Sequence, residues 1–191
     1  MALISIEKRK KFFKALGLGE YNKANILKFQ KKYFVRKQDW DGIYGNDTER
    51  LLKHVYNVTF HSKNFVPEEF KCECGGKYCT GYPDYMKYKQ LELLQEIRDH
   101  YKRPLIVTCG LRCKRYNAML NGSTANSKHM TGKATDYYMK GVTDTLANRK
   151  KTIKYLKKLK NHNYTYGNGI NSFGSYVNAP YMGNALHTDS K

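Results

Sequence analysis

The feature that most constrains the fold of this chain is a change in hydrophobic periodicity near residue 63. Before it, apolar residues recur at helical spacing. After it, helical segments alternate with short apolar runs, Pro104–Thr108 and Ala134–Met139, which predict buried strands. The sequence therefore predicts a unit of mixed helices and strands preceded by a small all-α module. A linker predicted near residues 58–64 divides the chain into units 1–62 and 63–191.

The front module is predicted to consist of short helices around a turn. One helix carries Ile26, Leu27, Gln30, Tyr33 and Phe34 on one face. The segment Asp41-Gly-Ile-Tyr-Gly45 forms the turn, and a second short helix carries Leu51, Leu52 and Val55. Helices of this size bury too little apolar surface to be stable alone. The module is therefore expected to depend on its neighbours.

In the second unit the same patterns predict two further helices, a loop and a last strand. A helix is expected over Gln90–Tyr101, and the basic run Arg149–Lys160 predicts an amphipathic helix with a solvated basic face. Gly167–Gly174 predicts a glycine-rich loop, and the last strand is expected near Ala185–Asp189.

Composition excludes several classes of protein. Hydrophobic residues make up 40% of the chain, enough for a core, and no apolar run approaches the roughly 18 residues of a membrane span. Lys and Arg number 35 against 16 Asp and Glu, so the net charge of +19 should attract a polyanion: nucleic acid, anionic lipid or an anionic cell wall. The charged N-terminus is the reverse of a secretory signal, so synthesis in the cytoplasm is expected.

The five cysteines leave three interpretations open. Cys72, Cys74 and Cys79 are close enough in sequence to bind a structural metal, but no fourth ligand stands beside them. A disulfide within the set and plain thiols are the alternatives, and the odd number argues against an obligatory disulfide framework.

Two His–Asp pairs carry the chemistry. Gly132 interrupts the segment between His129 and Asp136, so the histidine can fold back over the strand that carries the aspartate. His187 and Asp189 share one face of a strand. Two imidazoles and a carboxylate, with a fourth position left for water, are typical of a catalytic zinc site. A His–Asp hydrogen bond in a core would give the same pattern.

Three motifs in the right order resemble the zinc peptidases of the D-Ala-D-Ala carboxypeptidase and phage L-Ala-D-Glu endopeptidase group, whose fold is shared by hedgehog signalling domains. They are Ser127-x-His129-x-x-Gly132-x-Ala134-x-Asp136, the later His187-x-Asp189, and Cys109-Gly-Leu-Arg112-Cys-Lys-Arg-Tyr-Asn117. The last is similar to the group's S-G-x-R-x-x-x-x-N element, with Cys109 in place of serine. The resemblance covers about residues 65–189 and implies an α+β fold, a small antiparallel sheet with flanking helices.

The resemblance also implies roles for individual residues. It makes His129, Asp136 and His187 the ligands of Zn²⁺. It implies that Arg112 binds the carbonyl oxygen or a carboxylate of the substrate, where its charge would stabilise a tetrahedral intermediate. Ser127 and Asn117 become further candidates for substrate contact.

The general base is the point at which this chain departs from the group. An acidic residue often stands three positions before the final histidine, but here that residue is Asn184, which takes up no proton. Asp189 is the substitute candidate, with orientation of His187 as its alternative role. Three other interpretations stay open: a base near Asp136, His162 as the base, and an inactivating change at Asn184.

The front module has its own resemblance. Phe29-Gln30 followed by Asp41-Gly-Ile-Tyr-Gly45-Asn-Asp-Thr48 looks like the signature of peptidoglycan-binding helical modules. The alternative is a helical cap on the peptidase that binds nothing.

Together these features predict a zinc-dependent peptidase of peptidoglycan stem peptides, in the manner of a phage or prophage endolysin that acts on the cell wall after release. Its expected partners are peptidoglycan and anionic wall polymers, with no specific nucleic acid, and it is expected to be a monomer. A zinc-containing but inactive wall-binding protein is the second hypothesis. A nucleic-acid binder, the third, rests on charge alone and leaves the histidines unexplained.

Overall fold

Helices form the first part of the chain and a four-stranded sheet lies in the second. The computed structural model describes residues 3–143, 145–159, 162–166, 169–170, 176–177 and 185–190. The helices are α1 Ile6–Ala15, α2 Lys23–Tyr33, α3 Asn46–His61, α4 Tyr88–Tyr101, α5 Lys114–Asn117 and α6 Leu146–Leu156. The strands are β1 Leu105–Cys109, β2 Ala134–Met139, β3 His162–Tyr166, β4 Gly169–Ile170, β5 Tyr176–Val177 and β6 Leu186–Ser190.

The four-stranded sheet is antiparallel with the order β1-β2-β6-β3, so the last strand of the chain lies inside the sheet. Its register places Asp136 of β2 opposite His187 of β6 and opposite Cys109 of β1. These side chains therefore form a row across three neighbouring strands. The α+β class with a small antiparallel sheet is confirmed.

Helix α4 supports the sheet and matches its predicted position. Leu91, Leu94 and Ile97 lie on one face at helical spacing and are fully buried. The Gln90 side chain donates hydrogen bonds to the carbonyl oxygen and the hydroxyl of Thr188, at 3.1 and 3.2 Å. Because Thr188 follows His187 in β6, this helix fixes the strand that carries the final histidine.

In the front module, Gln30 of α2 connects its helix to the predicted turn. Its side-chain amide donates to Asp41 Oδ1 at 2.9 Å and to the Ile43 carbonyl at 3.0 Å, and its Oε1 accepts from Gly42 N at 2.7 Å. Gly42 has a φ of +70°, which favours glycine. The glutamine and the Asp-Gly pair of the signature therefore hold the turn against the helix.

Helix α3 is longer than predicted and occupies most of the predicted linker. It runs for 16 residues to His61, and Val58 within it is fully buried. Asn57 donates a hydrogen bond to the Met86 carbonyl at 2.8 Å. The prediction of a linker was therefore wrong for residues 58–61. The apolar core extends without interruption from Phe13 in α1 to Leu186 in β6.

In the last third of the chain, the structure confirms one predicted helix and corrects one predicted loop. Helix α6 buries Ile153 and Leu156, as its amphipathic pattern predicts. Within the predicted loop 167–174, residues 169–170 form β4, which pairs with β5. The rest of that loop lies outside the described residues. Among the described helices, none combines the length and apolar character that a bilayer crossing requires.

Candidate metal centre and active site

A sharp turn brings His129 and Asp136 together. His129 lies in a 3₁₀ turn, Lys128–Thr131, which ends at Gly132 with a φ of +66°. A Cβ atom at Gly132 would lie 2.0 Å from the Tyr85 carbonyl oxygen, so only glycine allows this approach. Lys87 N donates to the Gly132 carbonyl at 2.8 Å and holds the turn in place. The predicted break at Gly132 is confirmed.

Three donor atoms converge where this turn meets the sheet. His187 Nδ1 lies 2.7 Å from Asp136 Oδ1, and His129 Nε2 lies 3.3 Å from the same oxygen. The two imidazole nitrogens are 3.3 Å apart. Ligands about 2.0–2.1 Å from a tetrahedral zinc ion are separated by about 3.3–3.4 Å. The donor types and two of the three separations therefore fit a single zinc ion, whereas the third, 2.7 Å, is the hydrogen bond between His187 and Asp136.

Each histidine is held at the nitrogen that faces away from this point. His129 Nδ1 donates to the Gly110 carbonyl at 2.7 Å, which leaves Nε2 for the cluster. His187 Nε2 lies 3.4 Å from Asp189 Oδ2, which leaves Nδ1. Hydrogen bonds of this kind fix the ring orientation and tautomer of histidines that bind metals.

The electrostatics of the cluster keep Asp136 ionised. Burial alone would raise its pKa, but hydrogen bonds from His129 and His187 hold the pKa of Asp136 well below its usual range. Burial lowers the pKa of His129. Burial also opposes the charge on His187, but Asp136 and Asp189 outweigh it and raise the pKa of His187 to about 9. A metal ion would therefore have to displace a proton from His187.

Arg112 contacts the cluster directly. Its Nη2 donates to Asp136 Oδ2 at 2.8 Å, and its Nε donates to Cys109 Sγ at 2.9 Å. Asp136 thus presents Oδ1 to the histidines and Oδ2 to the guanidinium. Arg112 also lines the pocket in front of the cluster. Its position is compatible with the predicted substrate contact and adds a second role, the orientation of Asp136.

Asp189 lies behind His187. Its Oδ1 accepts from Asn163 Nδ2 at 2.9 Å and pairs with the Lys128 ammonium, and its Oδ2 faces His187 Nε2. Burial would raise the pKa of Asp189, but these partners hold it below its usual range. This geometry favours the orienting role that the sequence left as an alternative.

An open pocket of about 730 Å³ lies in front of the cluster. Ser127 lines it, as the predicted substrate contact requires. Asn117 is buried and is not among the lining residues in the described part of the chain; its side chain donates to the Thr124 carbonyl at 2.9 Å. Asn117 therefore holds the loop that forms one wall, which corrects its predicted substrate contact. Asn184 lies outside the described residues.

The structure adds Glu73 and Tyr116 to the pocket. Glu73 lies near Arg112 and accepts a hydrogen bond from Tyr116. Partial burial raises the pKa of the Glu73 carboxyl, while Arg112 and Tyr116 limit the rise. Sequence reasoning missed Glu73, because tertiary folding, and no local pattern, brings this residue to the pocket.

The cysteines separate into two groups. The sulfur atoms of Cys72, Cys74, Cys79 and Cys113 all lie within 4.8 Å of one another, and all five cysteines are free thiols. The fifth, Cys109, lies instead beside His129 and Asp136. The fourth member of the larger group, Cys113, comes from a distant part of the sequence and was not foreseen.

An α+β domain in which two histidines and an aspartate converge at an open pocket is typical of metal-dependent hydrolases. The family model described as Peptidase M15 matches residues 63–176, more than half of the chain. The chain therefore belongs to the Peptidase M15 family, which indicates a metallopeptidase, and M15 peptidases are generally zinc-dependent. No curated protein and no solved structure gives a significant match.

Proposed function

We propose that the chain is a zinc-dependent peptidase that hydrolyses peptide bonds in the stem peptides of bacterial peptidoglycan. The observation that carries the proposal is the convergence of His129, Asp136 and His187, within 3.3 Å of one another, at a pocket in an M15 chain. These three residues would hold the ion.

The chain's own residues support this chemistry. Zinc bound here would polarise a carbonyl group and lower the pKa of a bound water molecule. Gly110 and Asp189 orient the two histidines. Arg112 holds Asp136 and faces the pocket, where it would bind a carbonyl oxygen or carboxylate of the stem peptide. Glu73, on the pocket wall, is our candidate to accept the proton of the attacking water and pass it to the leaving amine.

Two features support the peptidoglycan substrate and the endolysin role. The net charge of +19 favours a wall rich in anionic polymers. The front module carries the Gln30–Asp41 arrangement whose sequence is similar to peptidoglycan-binding modules. A module that binds the wall would hold a wall peptidase close to its substrate, so each of the two resemblances supports the other. Within this proposal, the enzyme acts as a monomer, and as a D-Ala-D-Ala carboxypeptidase or as an endopeptidase.

Mass spectrometry of purified Gram-positive peptidoglycan, incubated with the protein and zinc, tests the proposal. Release of free D-Ala would identify a carboxypeptidase, and new amino termini within the stem peptide an endopeptidase. Products should disappear with a chelator and in His129→Ala, whereas Glu68→Gln, an exposed change outside the pocket, should retain them. A folded, zinc-loaded protein that gives no product from walls of several chemical types would contradict the proposal.

That last outcome would favour a second candidate function, a zinc-containing wall-binding protein without activity. The observation behind it is Asn184, which stands where the group often has an acidic residue. Sedimentation with purified walls would then show binding that does not depend on hydrolysis.

A further inference from the structure

The residues Cys72, Cys74, Cys79 and Cys113, which we name the cysteine cluster, have no role in the proposed peptidase chemistry. Their four sulfur atoms lie within 4.8 Å of one another, and those of Cys74 and Cys79 are 3.5 Å apart. Around a tetrahedral zinc ion with Zn–S distances of about 2.3 Å, sulfur atoms are separated by about 3.8 Å. The cluster therefore has nearly the dimensions of a four-thiolate site.

The backbone around the cluster is arranged to bring these sulfurs together. Gly75 and Gly76 have φ values of +61° and +85°, and Lys77 N donates to the Cys74 carbonyl at 3.0 Å. This tight turn returns the chain so that Cys79 faces Cys74. Cys113 reaches the same point from the segment that follows β1.

Backbone N–H groups point at the sulfurs. Cys113 N donates to Cys72 Sγ at 3.3 Å, and the N–H of Cys74 bonds the same sulfur. The N–H of Gly81 bonds Cys79 Sγ. Such donors stabilise negative charge on sulfur, and they surround the thiolate ligands of metal sites.

A disulfide explains this arrangement less well than a metal ion. One disulfide would join two of the cysteines and leave two more thiols at the same point. Cys72 and Cys113 are only 2% and 7% exposed, so a redox or nucleophilic role that needs access from solvent does not suit them. A tetrahedral metal ion, in contrast, would take all four sulfur atoms as ligands.

We propose that the cysteine cluster binds a structural zinc ion, separate from the His129–Asp136–His187 site. The ion would join the 72–79 segment to Cys113, next to Arg112. A backbone hydrogen bond from Leu111 to the Phe70 carbonyl, at 2.9 Å, already connects the same two segments. Because Glu73 lies between two of the ligands, the ion would fix both Arg112 and Glu73 at the pocket wall.

Metal analysis combined with cobalt spectroscopy tests the site. Protein purified under reducing conditions with zinc present should contain about two zinc ions per chain, and the double variant His129→Ala/His187→Ala about one. After cobalt replaces zinc in that double variant, intense thiolate-to-cobalt charge-transfer absorption should appear together with tetrahedral d–d bands. This readout needs no peptidase activity, so it is independent of the proposed function.

Two further changes in the double variant locate the ion. Cys113→Ser should remove most of the charge-transfer intensity, whereas Cys109→Ser, a buried cysteine outside the cluster, should leave it unchanged. If Cys113→Ser does not fold, alkylation of the folded double variant decides instead. Cluster thiols should resist alkylation until a strong chelator is added.

The proposal is overturned if the folded double variant binds no zinc or cobalt under these conditions. It is equally overturned if Cys109→Ser, and not Cys113→Ser, removes the charge-transfer band. Rapid alkylation of all four cluster cysteines in zinc-saturated protein would also contradict it.

Discussion

At the scale of single residues, the two oxygens of Asp136 have separate partners. Oδ1 faces the imidazoles of His129 and His187, and Oδ2 accepts from Arg112. The guanidinium therefore restricts rotation of the carboxylate and leaves one oxygen directed at the metal position. The resemblance of the sequence to a peptidase group implied a substrate role for Arg112, and the structure adds its hydrogen bond to Asp136, one of the proposed zinc ligands.

The variant Asp189→Asn distinguishes the two roles considered for Asp189, general base and orientation of His187. Because Asp189 faces the rear nitrogen of His187, its loss should weaken zinc binding about 10- to 100-fold while leaving kcat at saturating zinc largely intact. The measurement is the zinc concentration that restores activity to chelated enzyme. Asp84→Asn, a half-buried carboxylate outside the pocket that pairs with Lys87, is the matched control. Loss of kcat at every zinc concentration would instead make Asp189 the general base.

Glu73→Gln tests the proposed proton acceptor. Removal of a general base typically lowers the rate by about 10²–10⁴-fold, and we expect a fall of that size in kcat with zinc content and KM little changed. Steady-state kinetics on a soluble stem peptide, with Glu68→Gln as control, provide the measurement. A kcat within about twofold of the unmodified enzyme would exclude Glu73 as the base.

At the scale of elements, the helices and strands with strong apolar periodicity could be predicted from the sequence, whereas the burial of polar side chains could not. Helix α4 and strands β1 and β2 follow their apolar patterns closely. The end of α3 could not be predicted because the contacts that hold it come from distant parts of the chain: the structure buries the polar His54 and bonds both His54 and Asn57 to distant backbone groups. Likewise, no local pattern could reveal Cys113 as a neighbour of the other cysteines, because tertiary folding brings them together.

Gly132→Ala tests the turn that carries His129. A side chain there would combine a positive φ with a clash against the backbone of Tyr85, which has no freedom to move away. We expect a loss of about 2–4 kcal/mol in the free energy of unfolding. Urea denaturation measures it, with Gly45→Ala as control because its φ is negative and nothing lies within 4 Å of the added Cβ. Equal stability of the two variants would contradict this account of the turn.

Burial of His54 predicts acid sensitivity of the link between α3 and the second unit. Its Nε2 donates to the Pro67 carbonyl at 2.9 Å and its Nδ1 accepts from Met86 N at 3.2 Å, so the neutral ring satisfies both partners. Burial lowers the pKa of His54 to about 4. The unfolded chain, with an ordinary histidine pKa near 6.5, takes up the proton first as pH falls. Stability from this residue is therefore complete above about pH 6.5 and is lost towards pH 4.

Urea denaturation at pH 8 and pH 5 measures this effect. The His54 contribution should fall by about 2 kcal/mol between the two pH values. His54→Gln should reduce the difference by that amount whatever its stability at pH 8, whereas His61→Gln, on the more exposed last turn of α3, should keep it. An unchanged pH dependence in His54→Gln would show that His54 does not carry the effect.

At the scale of the whole molecule, one apolar core joins a helical front to a sheet that carries the site, under a strongly positive surface. The core runs from Phe13 to Leu186, so the front helices and the sheet that carries the candidate site belong to one packed structure. Composition gives the sign of the charge, and the polyanionic partner that this charge indicates stays a prediction. The spacing of apolar residues in the basic run, and not composition, predicted that α6 exposes lysines such as Lys150, Lys151 and Lys154 while Ile153 and Leu156 enter the core.

This surface charge predicts that salt separates wall hydrolysis from peptide hydrolysis. The range of electrostatic attraction falls from about 10 Å at 0.1 M salt to about 3 Å at 1 M. Activity on insoluble walls should therefore fall steeply over this range, because association with anionic polymers weakens. Turnover of a small soluble stem peptide should change little, since its contacts are made inside the pocket. Turbidity of wall suspensions and peptide kinetics, each followed across the same salt series, provide the two measurements.

The triple variant Lys150→Gln/Lys151→Gln/Lys154→Gln should shift the wall curve to lower salt and leave peptide turnover unchanged. These lysines are exposed on α6, and the buried face of that helix is not altered. Equal salt sensitivity on both substrates would place the effect of salt in the active site, and the net charge would then have no part in recognising the wall. A steep wall curve that the triple variant leaves unmoved would assign recognition to basic residues elsewhere, because charge on α6 would then be dispensable.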